Sequence, residues 1–340
     1  MKKLFQTIRD CMKAGEDVVL VTIIAGSGST PREAGARMVI TKNGLVSGTI
    51  GGGAVEYRSQ QIAADILKEK KSHEKGFKLK PNQVEDLGMI CGGEVVVYFQ
   101  YIAAEDAETL VLIEKILTLF QRDEDAWIIT DISNESVGSM GAYSKSAGMI
   151  GLSLTLEEAK PLLMNRSVQA EVEGKRYHSE PLVRSGKVIV FGGGHVAQEL
   201  VPVLSHIGFR CLVMDDREEF ASKKLFPTAD EIILGSFEKI TDSVAIEQND
   251  YVVVMTRGHA HDYIVQEQVL RFPSTYVGVI GSRSKIAAVS AKLREAGIPR
   301  KEIERIHAPI GLAIKAETPA EIAVSIAGEL IQVRAEHMGK

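Results

Sequence analysis

The sequence has few cysteines and no long apolar run, and both scarcities exclude whole classes of protein. Its three cysteines, Cys11, Cys91 and Cys211, are odd in number and far apart, which excludes a disulfide framework and favours a reducing environment. No segment approaches the roughly 18 consecutive apolar residues of a membrane-spanning helix. The first residues also lack the apolar region of a signal peptide. We therefore predict a cytoplasmic protein with no membrane partner.

Positive charge is not in excess either. The chain has 40 lysines and arginines against 45 aspartates and glutamates, a net charge of −5, and no basic tract, which argues against nucleic acid as a partner. Its 340 residues are enough for two domains with separate cores. We place these domains at residues 1–180 and 185–340, with the boundary near residues 181–186. The predicted fold class is α/β, with an N-terminal α/β domain and a C-terminal Rossmann-like domain built on a parallel sheet.

Residues 187–217, KVIVFGGGHVAQELVPVLSHIGFRCLVMDDR, carry the clearest motif. Their two apolar runs, with a glycine turn and helically spaced apolar residues between them, predict a strand, turn, helix and strand. We predict that residues 217–226 continue as a short helix. Gly192, Gly194 and Ala197 fit G-x-G-x-x-A, in which the second glycine lets a phosphate approach the positive end of the helix. Asp215 follows about 20 residues later, where an acid suits a ribose hydroxyl. The pattern predicts a site for a nucleotide or a pterin phosphate, and a turn that serves packing alone is the alternative.

Other polar residues lie in this motif or follow the later predicted strands. His195 lies inside the glycine turn, where it either contacts the ligand or hydrogen-bonds the backbone. Arg217, which follows the acids of the second predicted strand, is a further predicted ligand contact. Open α/β sheets bind ligands past the carboxyl ends of their strands. We therefore assign ligand contacts to Arg257, His259, Asp262 and Arg283. His259 and His261 with one acid lack the third well-spaced ligand that a metal site needs.

The first glycine-rich loop of the N-terminal half covers residues 25–41, AGSGSTPREAGARMVIT. It offers hydroxyl groups, exposed N–H groups and two arginines, and we predict that Ser29, Arg32 and Arg37 bind the anionic part of a ligand. Asn43-Gly44 follows, which is a strong signal for a hairpin.

Two further turns of the N-terminal half are glycine-rich. Gly51, Gly52 and Gly53 precede a predicted helix, so this turn is either another anion site or a tight junction between strand and helix. Cys91 lies in a glycine-flanked turn beside a predicted strand. Its side chain is either a thiolate that a ligand can reach or an inert buried group.

Taken in order, these motifs resemble the xanthine dehydrogenase accessory factor family, XdhC/CoxI, over nearly the whole chain. The resemblance rests on GSGSTPREAGARMVI, GTIGGGAVE, GMICGGEVVVYF, EPLVRSGKVIVFGGGHVA, DDREEFA, TRGHAHD, VGVIGSRSK and PIGLAIKAETPAEIAVSIAGEL. It implies a chaperone of the molybdenum cofactor, in its molybdopterin or cytosine dinucleotide form, rather than an enzyme that turns over a substrate by itself. It also implies a cysteine desulfurase and a xanthine dehydrogenase-like molybdenum hydroxylase as partners, and assembly as a homodimer.

The resemblance further implies that Cys91, in the family's C-G-G turn, contacts the molybdenum. Our own hypothesis is that Cys91, the arginines Arg32 and Arg37, and the loops around Gly194, Arg257 and Arg283 converge on the cofactor. The chain departs from the family at Ala54, where a cysteine is common, and at Ala313, where the family has an acid. The first departure weakens a mechanism with two cysteines, and the second bears on one ligand contact.

Two other functions fit parts of the sequence. An NAD(P)-dependent oxidoreductase would use Asp215 for the ribose and His259 or His261 as the acid–base group, but it leaves His195 and the cysteine turn without a role. A protein adaptor whose Rossmann domain has lost its ligand is the third possibility. Binding of NAD(P) with hydride transfer favours the first of these, and binding of a hydroxylase subunit without any ligand favours the second.

Overall fold

The chain forms two compact units, Met1–Arg184 and Ser185–Lys340. The computed structural model describes residues 1–28, 34–78, 93–133 and 139–337, with the backbone alone for residues 258–260 and 283. Within these ranges, no helix combines the length and the apolar character that crossing a membrane requires.

The first unit is built on antiparallel strands. They are β1 (Val18–Gly28), β2 (Arg37–Thr41), β3 (Gly44–Gly48), β4 (His73–Lys78), β5 (Gly93–Ile102), β6 (Ala126–Asp131), β7 (Met140–Ser144), β8 (Gly148–Ile150), β9 (Val168–Val172) and β10 (Lys175–Val183). The helices are α1 (Lys2–Lys13), α2 (Gly53–Glu69), α3 (Ala107–Leu119) and the short α4 (Leu156–Ala159). The strands form two five-stranded sheets, in the orders β3-β2-β1-β5-β4 and β8-β7-β6-β10-β9.

Apolar periodicity explains how the helices cover these sheets. The spacing of Leu4, Phe5 and Ile8 places them on one face of α1, and Ile113 and Ile116 do the same for α3. All five belong to one buried cluster that includes strand residues of both sheets. The hairpin predicted at Asn43-Gly44 is confirmed, since β2 and β3 pair in antiparallel fashion across it.

The second unit contains six parallel strands. They are β11 (Val188–Phe191), β12 (Cys211–Asp215), β13 (Glu231–Leu234), β14 (Tyr251–Val254), β15 (Tyr276–Val279) and β16 (Ile306–His307), in the order β13-β12-β11-β14-β15-β16. Numbered from β11, this is the 3-2-1-4-5-6 order of the Rossmann fold. The prediction of a Rossmann-like parallel sheet after an N-terminal α/β part is therefore confirmed.

Helices cover both faces of this sheet. They are α5 (His195–His206), α6 (Gly258–Val269), α7 (Arg283–Glu295), α8 (Arg300–Glu304) and α9 (Pro319–His337). Helices α5 and α9 pack on one face, while α6 and α7 pack on the other. The helix predicted over residues 217–226 is wrong, since only Glu218–Phe220 forms a single 3-10 turn. The chain instead uses Phe226 and Ala229 to fill the core beside α5.

We predict that the N-cap of α3 stabilises the first unit, because α3 supplies several side chains to its core. The Asp106 carboxylate accepts hydrogen bonds from the Thr109 N–H at 3.0 Å and the Thr109 hydroxyl at 2.6 Å. Asp106→Ala should lower the free energy of unfolding in urea by about 1 kcal/mol. Asp106→Asn is the matched control, because asparagine caps equally well. Equal losses in both variants would show that charge, rather than capping, is what matters.

Candidate functional site

The parallel sheet brings four loops to one edge of the second unit. Because all six strands run in one direction, the segments 192–194, 216–217, 255–257 and 280–282 all leave the sheet at the carboxyl ends of its strands. We call this set of loops the carboxyl edge. The central strands β11 and β14 are neighbours here, at the point where successive connections diverge to opposite sides of the sheet. That switch point is where open α/β sheets bind ligands.

The three glycines after β11 serve different purposes. Gly192 has φ +110°, and a side chain there would collide with the Met255 carbonyl oxygen. A side chain at Gly193 would collide with the Phe220 carbonyl oxygen. Gly194 has no heavy atom within 4 Å of the position of a Cβ. The first two glycines are therefore required for packing, whereas the third borders open space.

Helix α5 begins directly after this turn with its N-terminus uncapped. Gly194 is the N-cap residue and makes no side-chain cap. No group in the described part of the chain accepts a hydrogen bond from the N–H of Gly194, His195 or Val196. The His195 side chain is exposed in the first turn. Orphan N–H groups at the positive end of a helix dipole make a good place for an anion.

The hydrogen-bond acceptor positions of Asp215 are occupied by contacts within the protein. Its Oδ2 accepts hydrogen bonds from the Gly193 N–H at 2.8 Å and Arg217 Nη2 at 3.0 Å, and its Oδ1 accepts from the Arg217 N–H and Nε. Burial raises the pKa of Asp215, but these hydrogen bonds lower it more, so the net shift is downward. The predicted ribose contact gives way to a structural role, because only 1% of the residue is exposed and its acceptor positions are filled.

Arg217 is likewise held in place rather than free for a ligand. Its hydrogen bond with Asp215 raises the pKa of the guanidinium. Its guanidinium carbon lies 3.7 Å from the centroid of the Phe220 ring, in a cation–π contact.

Asp216 was not among the predicted site residues, yet its side chain is 22% exposed, compared with 1% for Asp215 and 0% for Asp262. Its Oδ2 lies 3.7 Å from Arg257 Nη2 and 3.9 Å from His261 Nδ1. Its Oδ1 lies 3.6 Å from Arg217 Nε and is buried without a hydrogen-bond partner among the described residues. The Arg257 side chain is 58% exposed. Sequence alone offered one signal for Asp216, namely the pair of acids that ends the second strand.

Asp262 was predicted to contact a ligand, but it is fully buried. Its Oδ1 accepts hydrogen bonds from the Thr256 N–H at 3.1 Å and the Thr256 hydroxyl at 2.5 Å, and its Oδ2 pairs with Lys285. The carboxylate thus ties the loop after β14 to helix α7. Because the Asp262 carboxylate is buried and positions these two elements, we do not retain it as a proposed ligand contact.

Arg37, in the first unit, is also buried where a surface contact was predicted. It is 5% exposed and pairs with Glu180, which joins β2 of one sheet to β10 of the other. Burial lowers the pKa of Arg37 to about 9. A guanidinium enclosed in the core in this way has a structural role, and we do not retain it as a phosphate ligand.

The glycine turn Gly51–Gly53 is filled by an acid of its own helix. The Glu56 carboxylate accepts hydrogen bonds from the N–H groups of Ile50 and Gly52, both at 3.0 Å, and from the Thr49 hydroxyl. Burial raises the pKa of Glu56, but these hydrogen bonds lower it more, and the net shift is downward. The turn does bind an anion, but that anion is a side chain of the protein.

The structure describes two of the three cysteines. Cys11 and Cys211 are free thiols in the core. Burial raises the pKa of both, that of Cys211 to about 12, so neither offers a thiolate at neutral pH. Ser29, Arg32 and Cys91 lie outside the described residues, as do the side chains of His259 and Arg283. In the part of the chain that the structure describes, no group of three or more His, Cys, Asp or Glu side chains suits a metal ion.

We predict that Glu56 makes the stability of the first unit depend on pH. Its pKa is lower in the folded state, so its contribution is present above the ordinary value of 4.5 and is lost as the pH falls through the folded pKa. Glu56→Gln should cost about 1–2 kcal/mol at neutral pH, and the difference from the native chain should shrink in acid. Urea titrations at several pH values measure it, with Glu69→Gln on the exposed end of α2 as the control. A difference that stays constant with pH would contradict this role.

Two family models match the chain, one in each unit. The model of the XdhC and CoxI family matches residues 11–77, and the model of the XdhC Rossmann domain matches residues 188–330. A crystal structure of a xanthine dehydrogenase from Bacillus halodurans superposes with a TM-score of 0.79 at 22% identity, covering 98% of this chain and 96% of that one. This likeness concerns the fold.

Three curated relatives are similar over nearly the whole chain. The chain is 25% identical over 339 residues to a probable xanthine dehydrogenase subunit of Bacillus subtilis (strain 168), with 97% of each covered. It is 20% identical over 325 residues to the molybdenum cofactor insertion chaperone PaoD of Escherichia coli (strain K12), covering 96% of this chain and 86% of PaoD. It is also 23% identical over 316 residues to YqeB of Escherichia coli (strain K12), but it spans only 43% of that protein's length.

Proposed function

The chain belongs to the XdhC and CoxI family, and from this membership we propose that it is a chaperone of the molybdenum cofactor. It holds the cofactor as cargo and passes it to a molybdenum hydroxylase of the xanthine dehydrogenase type. The names of two relatives support this proposal, one as a probable xanthine dehydrogenase subunit and one as a molybdenum cofactor insertion chaperone. On this view the chain turns over no substrate by itself.

The observation that carries the proposal is the uncapped N-terminus of α5 at the switch point of the sheet. Gly194 borders open space, its N–H and those that follow have no described acceptor, and the cationic side chain of Arg257 is exposed at the same edge. These groups suit the phosphate of molybdopterin or of its cytosine dinucleotide form. His195, exposed in the first turn of α5, is a further contact for this phosphate.

The molybdenum itself calls for a soft ligand. Cys11 and Cys211 are buried thiols with raised pKa values. Cys91 is the remaining cysteine of the chain, and we propose that its thiolate contacts the metal of the cargo. Ser29, Arg32, His259 and Arg283 stay predicted contacts to the same cargo. Sulfuration of the cofactor by a cysteine desulfurase partner and assembly as a homodimer belong to the same proposal.

An NAD(P)-dependent oxidoreductase is the second candidate, because the strand order and the glycine turn are those of dinucleotide-binding domains. Two features speak against it. Asp215 is the acid at the usual position for the ribose, but Gly193 and Arg217 already donate hydrogen bonds to its carboxylate. The relatives whose names state a role point to molybdenum enzymes.

We predict that a fixed negative charge at Gly194 abolishes cargo binding without harming the fold. Gly194 has φ −68° and room for a side chain, and aspartate is a good N-cap residue. Gly194→Asp should therefore keep or raise the melting temperature, while its carboxylate occupies the anion site. After anaerobic incubation with molybdenum cofactor and gel filtration, retained molybdenum and pterin should fall at least about tenfold relative to the native chain.

Gly194→Asn is the matched control, since it has the same shape without the charge and should retain more cofactor than Gly194→Asp. Cys91→Ala, measured alongside, should lose metal retention more than pterin retention. If the native chain retains neither molybdenum nor pterin but binds NAD(P), the chaperone function is wrong and the oxidoreductase takes its place. Equal retention by Gly194→Asp and the native chain would place the phosphate elsewhere.

A further inference from the structure

Asp216 lies at the carboxyl edge close to two arginines, but no described residue donates a hydrogen bond to its Oδ1 atom. Three nitrogen-bearing groups surround the carboxylate at 3.6–3.9 Å, namely Arg217 Nε, Arg257 Nη2 and His261 Nδ1. These separations exceed the range of a hydrogen bond. The Oδ1 atom and His261 Nδ1 are both buried without a partner among the described residues.

The neighbouring acid, Asp215, has no such free positions. Asp215 accepts four hydrogen bonds from Gly193 and Arg217 and is 1% exposed, so it has no capacity left. The Asp216 side chain is 22% exposed and leaves the strand one residue later. Buried polar atoms in native proteins nearly always have a partner. The free acceptor positions of Asp216 therefore call for a donor that comes from outside the chain.

We infer that Asp216 is the recognition residue for a ligand edge that carries two adjacent N–H or O–H donors. A carboxylate accepts such a pair through its two oxygens. The same carboxylate repels an anion, so the phosphate and the neutral part of the cargo bind to different groups. The phosphate goes to Gly194 and Arg257, and the neutral donor edge goes to Asp216. This inference rests on the proposed function, because it concerns the same cargo at the same edge.

Two chemical groups share this donor pattern. The pyrimidine ring of a pterin presents a 2-amino group beside the N3–H, and a ribose presents two vicinal hydroxyls. Both match a carboxylate, and Asp216 directly follows Asp215, which ends the second Rossmann strand at the usual ribose position. Arg257 compensates the charge of the carboxylate, and neither Arg257 nor His261 lies close enough to occupy its oxygens with a hydrogen bond.

We predict that Asp216→Asn weakens binding of the matching ligand about ten- to hundredfold, because the amide replaces one acceptor oxygen with a donor that meets the ligand's own donor. Titration calorimetry of the full chain, with pterin fluorescence as a second readout, compares two ligand pairs. The first pair is 6-hydroxymethylpterin and its 2-oxo analogue 6-hydroxymethyllumazine, which lacks the amino group. The second pair is AMP and 2′,3′-dideoxy-AMP. Asp242→Asn, an exposed acid of the same unit, is the control.

The outcomes distinguish a pterin edge from a ribose, and failure of this inference from failure of the proposed function. A native preference for the pterin over the lumazine that disappears in Asp216→Asn identifies the pterin edge. A native preference for AMP over the dideoxynucleotide that disappears in the variant identifies the ribose. If the native chain retains molybdenum cofactor but Asp216→Asn binds every probe as tightly as the native chain, Asp216 holds only water and the inference is wrong. Failure of the native chain to retain the cofactor at all is a different result, because it overturns the proposed function.

Discussion

The hydrogen bonds of Asp215 are the interaction on which the carboxyl edge depends. This buried carboxylate holds the Gly193 N–H on one side and the Arg217 guanidinium on the other, and so ties the turn after β11 to the segment after β12. A buried carboxylate without such partners would be very costly. The turn is therefore fixed with Gly192 and Gly193 packed against backbone, which leaves Gly194 and the first N–H groups of α5 facing outward.

The two glycine turns differ in how far a carboxylate of the protein occupies their N–H groups. In the turn before α2, the Glu56 carboxylate already occupies the N–H groups of Ile50 and Gly52. In the turn before α5, Asp215 accepts a hydrogen bond from the Gly193 N–H. No described group accepts one from the N–H groups of Gly194, His195 or Val196. A glycine-rich turn at a helix N-terminus favours an anion in both cases. Whether that anion is a ligand depends on whether the chain supplies one of its own.

Much of the architecture could be predicted from sequence, because it follows from local patterns. Short apolar runs, the glycine turn and the helical spacing of apolar residues after it predict the strand–turn–helix–strand unit, and Asn43-Gly44 predicts a hairpin. Local pattern failed over residues 217–226, where the chain leaves its 3-10 turn to place Phe226 in the core. Packing against α5 overrode helix propensity there.

The order of strands, turns and helices, and therefore the set of polar residues that reach the carboxyl edge, was determined by the sequence itself. The tertiary structure alone decided which of these residues remain available to a ligand. Asp262 pairs with Lys285, Arg37 with Glu180, and Asp215 with Arg217, while the Gly193 N–H also donates to Asp215. The Oδ1 atom of Asp216, by contrast, has no hydrogen-bond partner in the described part of the chain. Hydrogen bonds form over about 3 Å between groups that are often distant along the chain, and no local pattern records those distances.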